Sequence, residues 1–389
     1  MLENKKIVFY IIIIAIFIKL FLFVFTVTFY APGKFQPDSN DYINTGAMIV
    51  SQGVFAQEDN GLLRYESRRT PGYPLFLGVL GGILKIPLIG IIFLQMLLTI
   101  ATAFITYKIA FEINEKIAFL SGLIVLYSPI ITIASLQILT ETLYLFLLSL
   151  FMFLFICYLK SKKTKLFIYS AIILVMATYV RPISYYLPMA VAVFILYVSI
   201  RDRVWKAIFH AVVFLLVSYS LLGIWQIRNY LHFHQYIFTH FQNIVNNYSP
   251  LHSYIRNNGS FINNLAPVLY YCDLFGRSFI SLITEPGSLK YFHCHILTII
   301  GKIFGYTFVI FWWIGFLIGL TKVKRNIHYQ FIIFIILYFI FVTIFTAGLT
   351  STERYRVPIV PFIAIIAAVG WVKLKRNTLF SCFFLNILI

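Results

Sequence analysis

Two runs decide how this chain is read: Phe35-Gln36-Pro37-Asp38-Ser39-Asn40-Asp41-Tyr42 and Arg68-Arg69-Thr70-Pro71-Gly72-Tyr73-Pro74. They lie near the ends of residues 30–74, where Asp38, Asp41, Glu58, Asp59 and Glu66 mix with Lys34, Arg64, Arg68 and Arg69. Only 11% of the whole chain is charged. Apolar segments stand on either side. A polar loop of this length, in a chain otherwise composed for lipid, is a place for function and not a mere connector.

Working outward, the rest of the chain is apolar. Of 389 residues, 61% are hydrophobic, and the mean hydropathy is +0.89. Soluble domains run at about 45–50% apolar, so the composition predicts an all-α polytopic membrane protein. A helix needs about 20 apolar residues to cross the hydrocarbon core. Candidate spans are 7–29, 87–110, 117–135, 138–159, 166–180, 183–200, 207–229, 299–320, 327–348 and 356–373, about ten transmembrane helices. No small-residue cleavage site follows 7–29, so it reads as a first transmembrane helix and not a signal peptide. The segment 75–84 is too short to cross and carries Gly78, Gly81 and Gly82; it lies at the outer interface or re-enters. Arg181-Pro182 splits the stretch 166–200 into two spans.

The net charge of +18 comes from loop asymmetry and not from a nucleic-acid footprint. Alternate loops, from Lys5-Lys6 through Lys160–Lys165 and Arg201–Lys206 to Lys373–Arg376, hold 17 of the 31 Lys and Arg residues. Nine of the 13 acids fall on the other side. The positive-inside rule then puts both termini in the cytoplasm of a bacterial-type inner membrane. The outer face receives two large pieces, 30–86 and a cap of 230–298 rich in Asn, Tyr and His. Residues 1–389 form one membrane-embedded domain, with an apolar tail at 377–389 too short to span. Cys157, Cys272, Cys294 and Cys382 have no zinc or redox spacing. Cys272 and Cys294 pair in an oxidising compartment or remain thiols. His293-Cys294-His295 are too close in sequence to bind one metal together. Lys19, in mid-span, either snorkels or faces the bundle.

The polar motifs scattered along the chain all fall at the outer level: Asp38 and Asp41, Arg68–Pro74, Thr140-Glu141-Thr142, Arg181-Pro182, Arg228-Asn229 and Glu353-Arg354-Tyr355-Arg356. Asp38 precedes a helix-like run from Ser39 to Gln52, so it is an N-terminal cap, a general base, or both. Asp41, one turn on, joins it around a divalent cation or supports it. Glu141 sits at the mouth of 138–159. It is either a first-turn acid behind a Thr140 cap or a membrane-level carboxylate that needs a partner. Nine arginines are assigned to the outer side: Arg64, Arg68, Arg69, Arg181, Arg228, Arg256, Arg277, Arg354 and Arg356. A guanidinium is the planar, always-charged partner of phosphate. They hold lipid headgroups or a bound lipid phosphate, and Arg181 and Arg354, beside Pro182 and Pro358 at helix mouths, suit the second role best.

These residues resemble the polytopic glycosyltransferases that use polyprenyl-phosphate sugars, the group that includes the protein O-mannosyltransferases and the lipid A aminoarabinose transferases and has the GT-C fold. Pro37-Asp38-Ser39-Asn40-Asp41-Tyr42 resembles the family's first-loop acidic motif. Arg69-Thr70-Pro71-Gly72-Tyr73-Pro74 is similar to the run entering its next membrane segment. Leu139-Thr140-Glu141 resembles the second acidic position, and Arg354-Tyr355 with Pro358 and Pro361 the closing motif. The resemblance covers residues 1 to about 230 in order, and the last two spans. Where the family often has two adjacent acids, Asp38 is followed by Ser39.

The resemblance implies transfer of a sugar, with inversion, from a polyprenyl-phosphate donor to a glycan, lipid or protein hydroxyl at the outer face. Asp38 inherits the catalytic role, with Glu141 second. Arg68, Arg69, Arg181 and Arg354 would bind the donor phosphate. Asp41, Tyr42, Tyr73, Arg228 and Tyr355 would support them. A divalent Mg, Mn or Ca ion would sit on Asp38 and Glu141. Two other classes stay open. A transporter or flippase for a lipid-linked or anionic substrate predicts paired repeats and midplane charges, of which only Lys19 is present. An O-antigen-type polymerase predicts that the arginines of 230–298 carry the chemistry.

Overall fold

The computed structural model describes residues 2–29, 31–59, 62–203, 206–239, 276–277, 279–284, 295–323, 326–347 and 353–375. Helices dominate. α1 (Leu2–Phe29) leads through a short turn of helix, Ala31–Lys34, into α2 (Ser39–Gln52). A hairpin of β1 (Ala56–Asp59) and β2 (Leu62–Tyr65) follows, antiparallel with Asp59 facing Leu62. Then come α3 (Gly72–Leu77), continued by a wide π-turn over Gly78–Ile83, and α4 (Leu88–Ile113). α5 (Glu115–Leu126), α6 (Pro129–Ser135), α7 (Glu141–Ser161), α8 (Thr164–Val180), α9 (Leu187–Asp202) and α10 (Lys206–Phe233) complete the first part. After the cap region stand α11 (His295–Lys322), α12 (Ile327–Ala347) and α13 (Val360–Lys375), the last entered through a tight helical turn, Glu353–Ile359.

Each of the ten expected spans corresponds to a helix or a helix pair. By length and apolarity, eight helices among the described residues can cross a membrane. They become nine when α5 and α6, bent by 51° at their junction, count as one span. The bend is at Pro129, whose ring and missing N–H stop a helix from continuing. α8, with 17 residues, is not counted among these eight, although it occupies the expected 166–180.

Three details refine the sequence reading. The all-α expectation holds for the bundle, and a short β1–β2 hairpin is added in the polar loop. The span read as 138–159 starts only at Glu141, because residues 136–140 form an irregular break after α6. The 75–84 segment, read as interfacial or re-entrant, is the end of a short helix continued by a π-turn. The cap 230–298 lies largely outside the described residues, with Cys272, Cys294, His293 and Arg256.

The core lies between α4, α5, α7, α8, α12 and α13. Phe155 on α7 packs tilted against Phe331 on α12 with centroids 4.4 Å apart, and Tyr158 meets Phe167 on α8 at 4.7 Å. α13 is buried on every side from Val360 to Val369, as its uniformly apolar sequence requires. It crosses α11 at Gly315, Gly319 and Gly370, where any added Cβ on Gly370 would strike the Gly315 carbonyl. Lys19 does not snorkel. It faces the bundle, fully buried, and donates to Thr132 Oγ1 on α6 at 2.7 Å.

Candidate active site

The site begins where α2 begins. Asp38 stands in the N-cap position, but its backbone is helical (φ −78°, ψ −17°) and its side chain makes no capping bond. The carboxylate turns instead to two arginines. Arg69 Nη2 donates to Asp38 Oδ1 at 2.8 Å and to Asp41 Oδ2 at 3.0 Å. Arg354 Nη2 reaches Asp38 Oδ2 at 3.4 Å. Asp38 and Asp41, three apart on one helix face, thus share one guanidinium.

The second half of the site centres on Glu141, the first residue of α7 and fully buried. Thr140 does not cap α7; its hydroxyl lies 3.3 Å from Glu141 Oε2. Glu141 Oε1 takes a short charged hydrogen bond from Arg354 Nε and an ion pair from Arg181 Nη1 at 2.9 Å. The Arg181 contact is close but not aligned as a hydrogen bond, so among the described residues that nitrogen has no hydrogen-bond acceptor. An ionisable carboxylate buried at membrane level demands such partners. Arg354 therefore bridges Glu141 and Asp38, and joins three acids to three guanidiniums in one network.

Aromatic rings frame the network. The Arg69 guanidinium lies 5.2 Å from the centroid of Tyr42, and Arg181 lies 5.6 Å from that of Tyr355. Tyr42 packs edge-on against Tyr73 with centroids 5.2 Å apart. Burial raises the Tyr42 phenol pKa, with Asp38 and Glu141 adding to the shift and Arg69 and Arg181 opposing it, so the ring stays neutral. Burial pulls the Arg69 pKa down, but Tyr42, Asp38 and the bond to Asp41 outweigh it, and the guanidinium is held more firmly charged than usual.

Backbone contacts set the two halves in register. Thr70 Oγ1 donates to the Val180 carbonyl at 3.3 Å, just ahead of Arg181. Gly72 packs so tightly on the end of α8 that an added Cβ would lie 2.7 Å from the Tyr179 carbonyl. Ser39 Oγ donates to the Ile138 carbonyl at 2.8 Å, and the Ile138 N–H to the Lys34 carbonyl at 3.0 Å.

Of the residues singled out in the sequence, Asp38, Asp41, Tyr42, Arg69, Glu141, Arg181, Arg354 and Tyr355 come together. Tyr73 borders them. Arg68 is exposed, and among the described residues only its backbone is engaged, with Glu66 Oε1 and Thr239. Arg228 does not join the network. It donates to the carbonyls of Glu66 and Phe55 at 2.9 and 2.7 Å and lies among the rings of Phe55, Tyr65, Trp225 and Phe233. Its guanidinium pins the hairpin to α10. Glu66, Gln95 and Gln137 were missed. Glu66 accepts from Gln57 and from the N–H groups of Arg68 and Arg69, and so shapes the turn that presents Arg69. A glutamine inside an apolar helix was the available signal for Gln95.

The donor set bears on the expected divalent ion. Among the described residues, no group of three or more His, Cys, Asp and Glu side chains is placed to hold a metal. Both Asp38 oxygens and Glu141 Oε1 already face guanidiniums. Three acids balanced by three arginines leave no excess negative charge for a dication, so these residues as arranged do not fit one.

Comparison with known proteins gives one match by sequence and several by structure. No curated protein sequence matches the chain. The crystal structure of ArnT from Cupriavidus metallidurans bound to undecaprenyl phosphate superposes with a TM-score of 0.44 at 11% identity, covering 94% of this chain and 77% of that one. The apo structure of the same protein gives 0.41 at 11% identity, over 88% and 73%. Residues 68–225, about two-fifths of the length, match the family of dolichyl-phosphate-mannose-protein mannosyltransferases. That segment runs from Arg68 through Glu141 and Arg181 to α10. Over that segment, which contains the Arg69–Pro74 and Leu139–Glu141 motifs, the chain matches a glycosyltransferase family model.

Proposed function

We propose that the protein transfers a sugar from a polyprenyl-phosphate donor to an acceptor hydroxyl, with Asp38 as general base. The observation that carries the reading is the placement of Asp38. It stands where a cap would stand and does not cap, and it is held instead between two arginines beside a third. The matched family is named for a dolichyl-phosphate sugar, and dolichyl phosphate is a polyprenyl phosphate.

Asp38 accepts the proton as the acceptor O–H bond breaks. The acceptor oxygen forms its bond to the anomeric carbon from the face opposite the phosphate. The carbon–oxygen bond to the phosphate breaks, its electrons pass to the phosphate oxygen, and polyprenyl phosphate leaves. The anomeric centre is inverted. The leaving oxygen is stabilised by charge and needs no acid. Arg354 and Arg181 supply that charge, and Arg181 Nη1, which has no hydrogen-bond acceptor among the described residues, would donate to the phosphate. No step passes through a metal. The charge asymmetry of the loops supports placing this site at the outer face, where the acceptor would be a glycan, a lipid or a protein.

The test is transfer of radiolabelled sugar by purified protein, with polyprenyl-phosphate sugars and nucleotide sugars offered in parallel. Transfer from at least one lipid-linked sugar and from no nucleotide sugar is expected. Transfer from nucleotide sugars alone would overturn the reading.

A further inference from the structure

Residues 136–140 are a weak point in the bundle. The helical hydrogen-bond ladder lapses between α6 and α7, which leaves the carbonyls there to find partners away from water. Gln95, on α4 and fully buried, meets two of the carbonyls at this break. Its Nε2 donates to the Gln137 carbonyl at 2.7 Å and to the Ser135 carbonyl at 3.3 Å. Its Oε1 accepts from the Tyr73 hydroxyl at 2.6 Å. One side-chain amide therefore ties the break to α3, using an acceptor and two donors at once. An amide carries both kinds of group; an apolar residue carries neither.

Both ends of this tie lead to the reacting groups. Tyr73 is four residues from Arg69 and packs against Tyr42, the ring under the Arg69 guanidinium. Gln137 is four residues from Glu141, and its neighbour Ile138 is held by Lys34 and Ser39, which flank Asp38. The distance between the Asp38–Arg69 half and the Glu141–Arg181–Arg354 half is thus spanned by Gln95. We infer that Gln95 is a positioning residue of the transfer reaction: it fixes the base against the phosphate-binding arginines and touches no substrate.

This inference rests on the proposed transfer, and its test has one arm that does not. In Gln95→Met, of similar volume, amide hydrogen exchange should quicken in residues 135–140 and stay unchanged in α7 beyond its first turn and in α12. Turnover should fall on the order of 10²-fold, the cost of a misplacement near 1 Å, with donor KM within about threefold of wild type. Tyr73→Phe removes one bond of the three and should show the same pattern, smaller, without threat to folding. In an Asp38→Asn background, Gln95→Met should cost little more, because the base it positions is gone. Unchanged exchange at 135–140 would overturn the inference. So would faster exchange throughout the bundle, or equal turnover losses with and without Asp38. Absence of transfer by wild-type protein from any polyprenyl-phosphate sugar would instead fault the proposed function, and the exchange arm would still decide whether Gln95 holds the break.

Discussion

Arg354 is the residue whose chemistry is most constrained. Its Nε serves Glu141 and its Nη2 serves Asp38, so one planar fork fixes two acids from different elements. An ammonium is a single point of charge and cannot do both. Arg354→Ala should therefore raise the donor KM more than the acceptor KM, and Arg354→Lys should restore only part of the loss. Equal effects on both substrates in initial-rate kinetics would contradict this. The paired acids, Arg69 and Arg354 were legible because charged residues are rare in this chain and each stands beside a proline or a helix end. Roles within the group were less legible. Arg68 and Arg69 are adjacent and identical, and only the turn built by Glu66 decides which reaches Asp38. Arg228 was read with the site for the same reason, since a pinning arginine and a binding arginine look alike in sequence.

At the scale of elements, the apolar helices declared themselves because lipid demands unbroken runs of about 20 residues. What composition could not show is where a run is interrupted. The break at 136–140 lies inside a mostly apolar stretch, and the Gln137 carbonyl within it is held by Gln95, from a helix some forty positions earlier. The hairpin had its own signal in Asn60-Gly61, a favoured two-residue turn, masked by the polar loop around it. The contact between α3 and α8 gives the sharpest prediction. Gly72→Ala forces a methyl into the backbone at Tyr179 and Val180. Overpacking of this kind costs about 1–3 kcal/mol and pushes the end of α8, with Arg181, away from Glu141. Lower thermal stability in detergent is expected together with weaker donor binding. Unchanged binding at lower stability would show that Arg181 is placed by other contacts.

For the whole molecule, the charge pattern and the fold make separate statements that must agree. The acid–arginine network gathers at one end of the bundle. The other end holds Lys160 paired with Glu112, Arg201 bonded to Asp202 and Gln330, and Lys373 on the Lys322 carbonyl. With native cysteines replaced, a single cysteine at Ser161 should label from the cytoplasm only, and one at Leu62, exposed on the hairpin, from the opposite side only. Labelling of both from one side would remove the orientation. The central claim is that Asp38 is a base and not a cap. Asparagine caps a helix as well as aspartate but cannot take a proton. The direct measurement is single-turnover transfer by Asp38→Asn with polyprenyl-phosphate sugar already bound. The account predicts donor affinity within about threefold of wild type and a rate lower by ~10²–10⁴-fold. Turnover near the wild-type rate would contradict it.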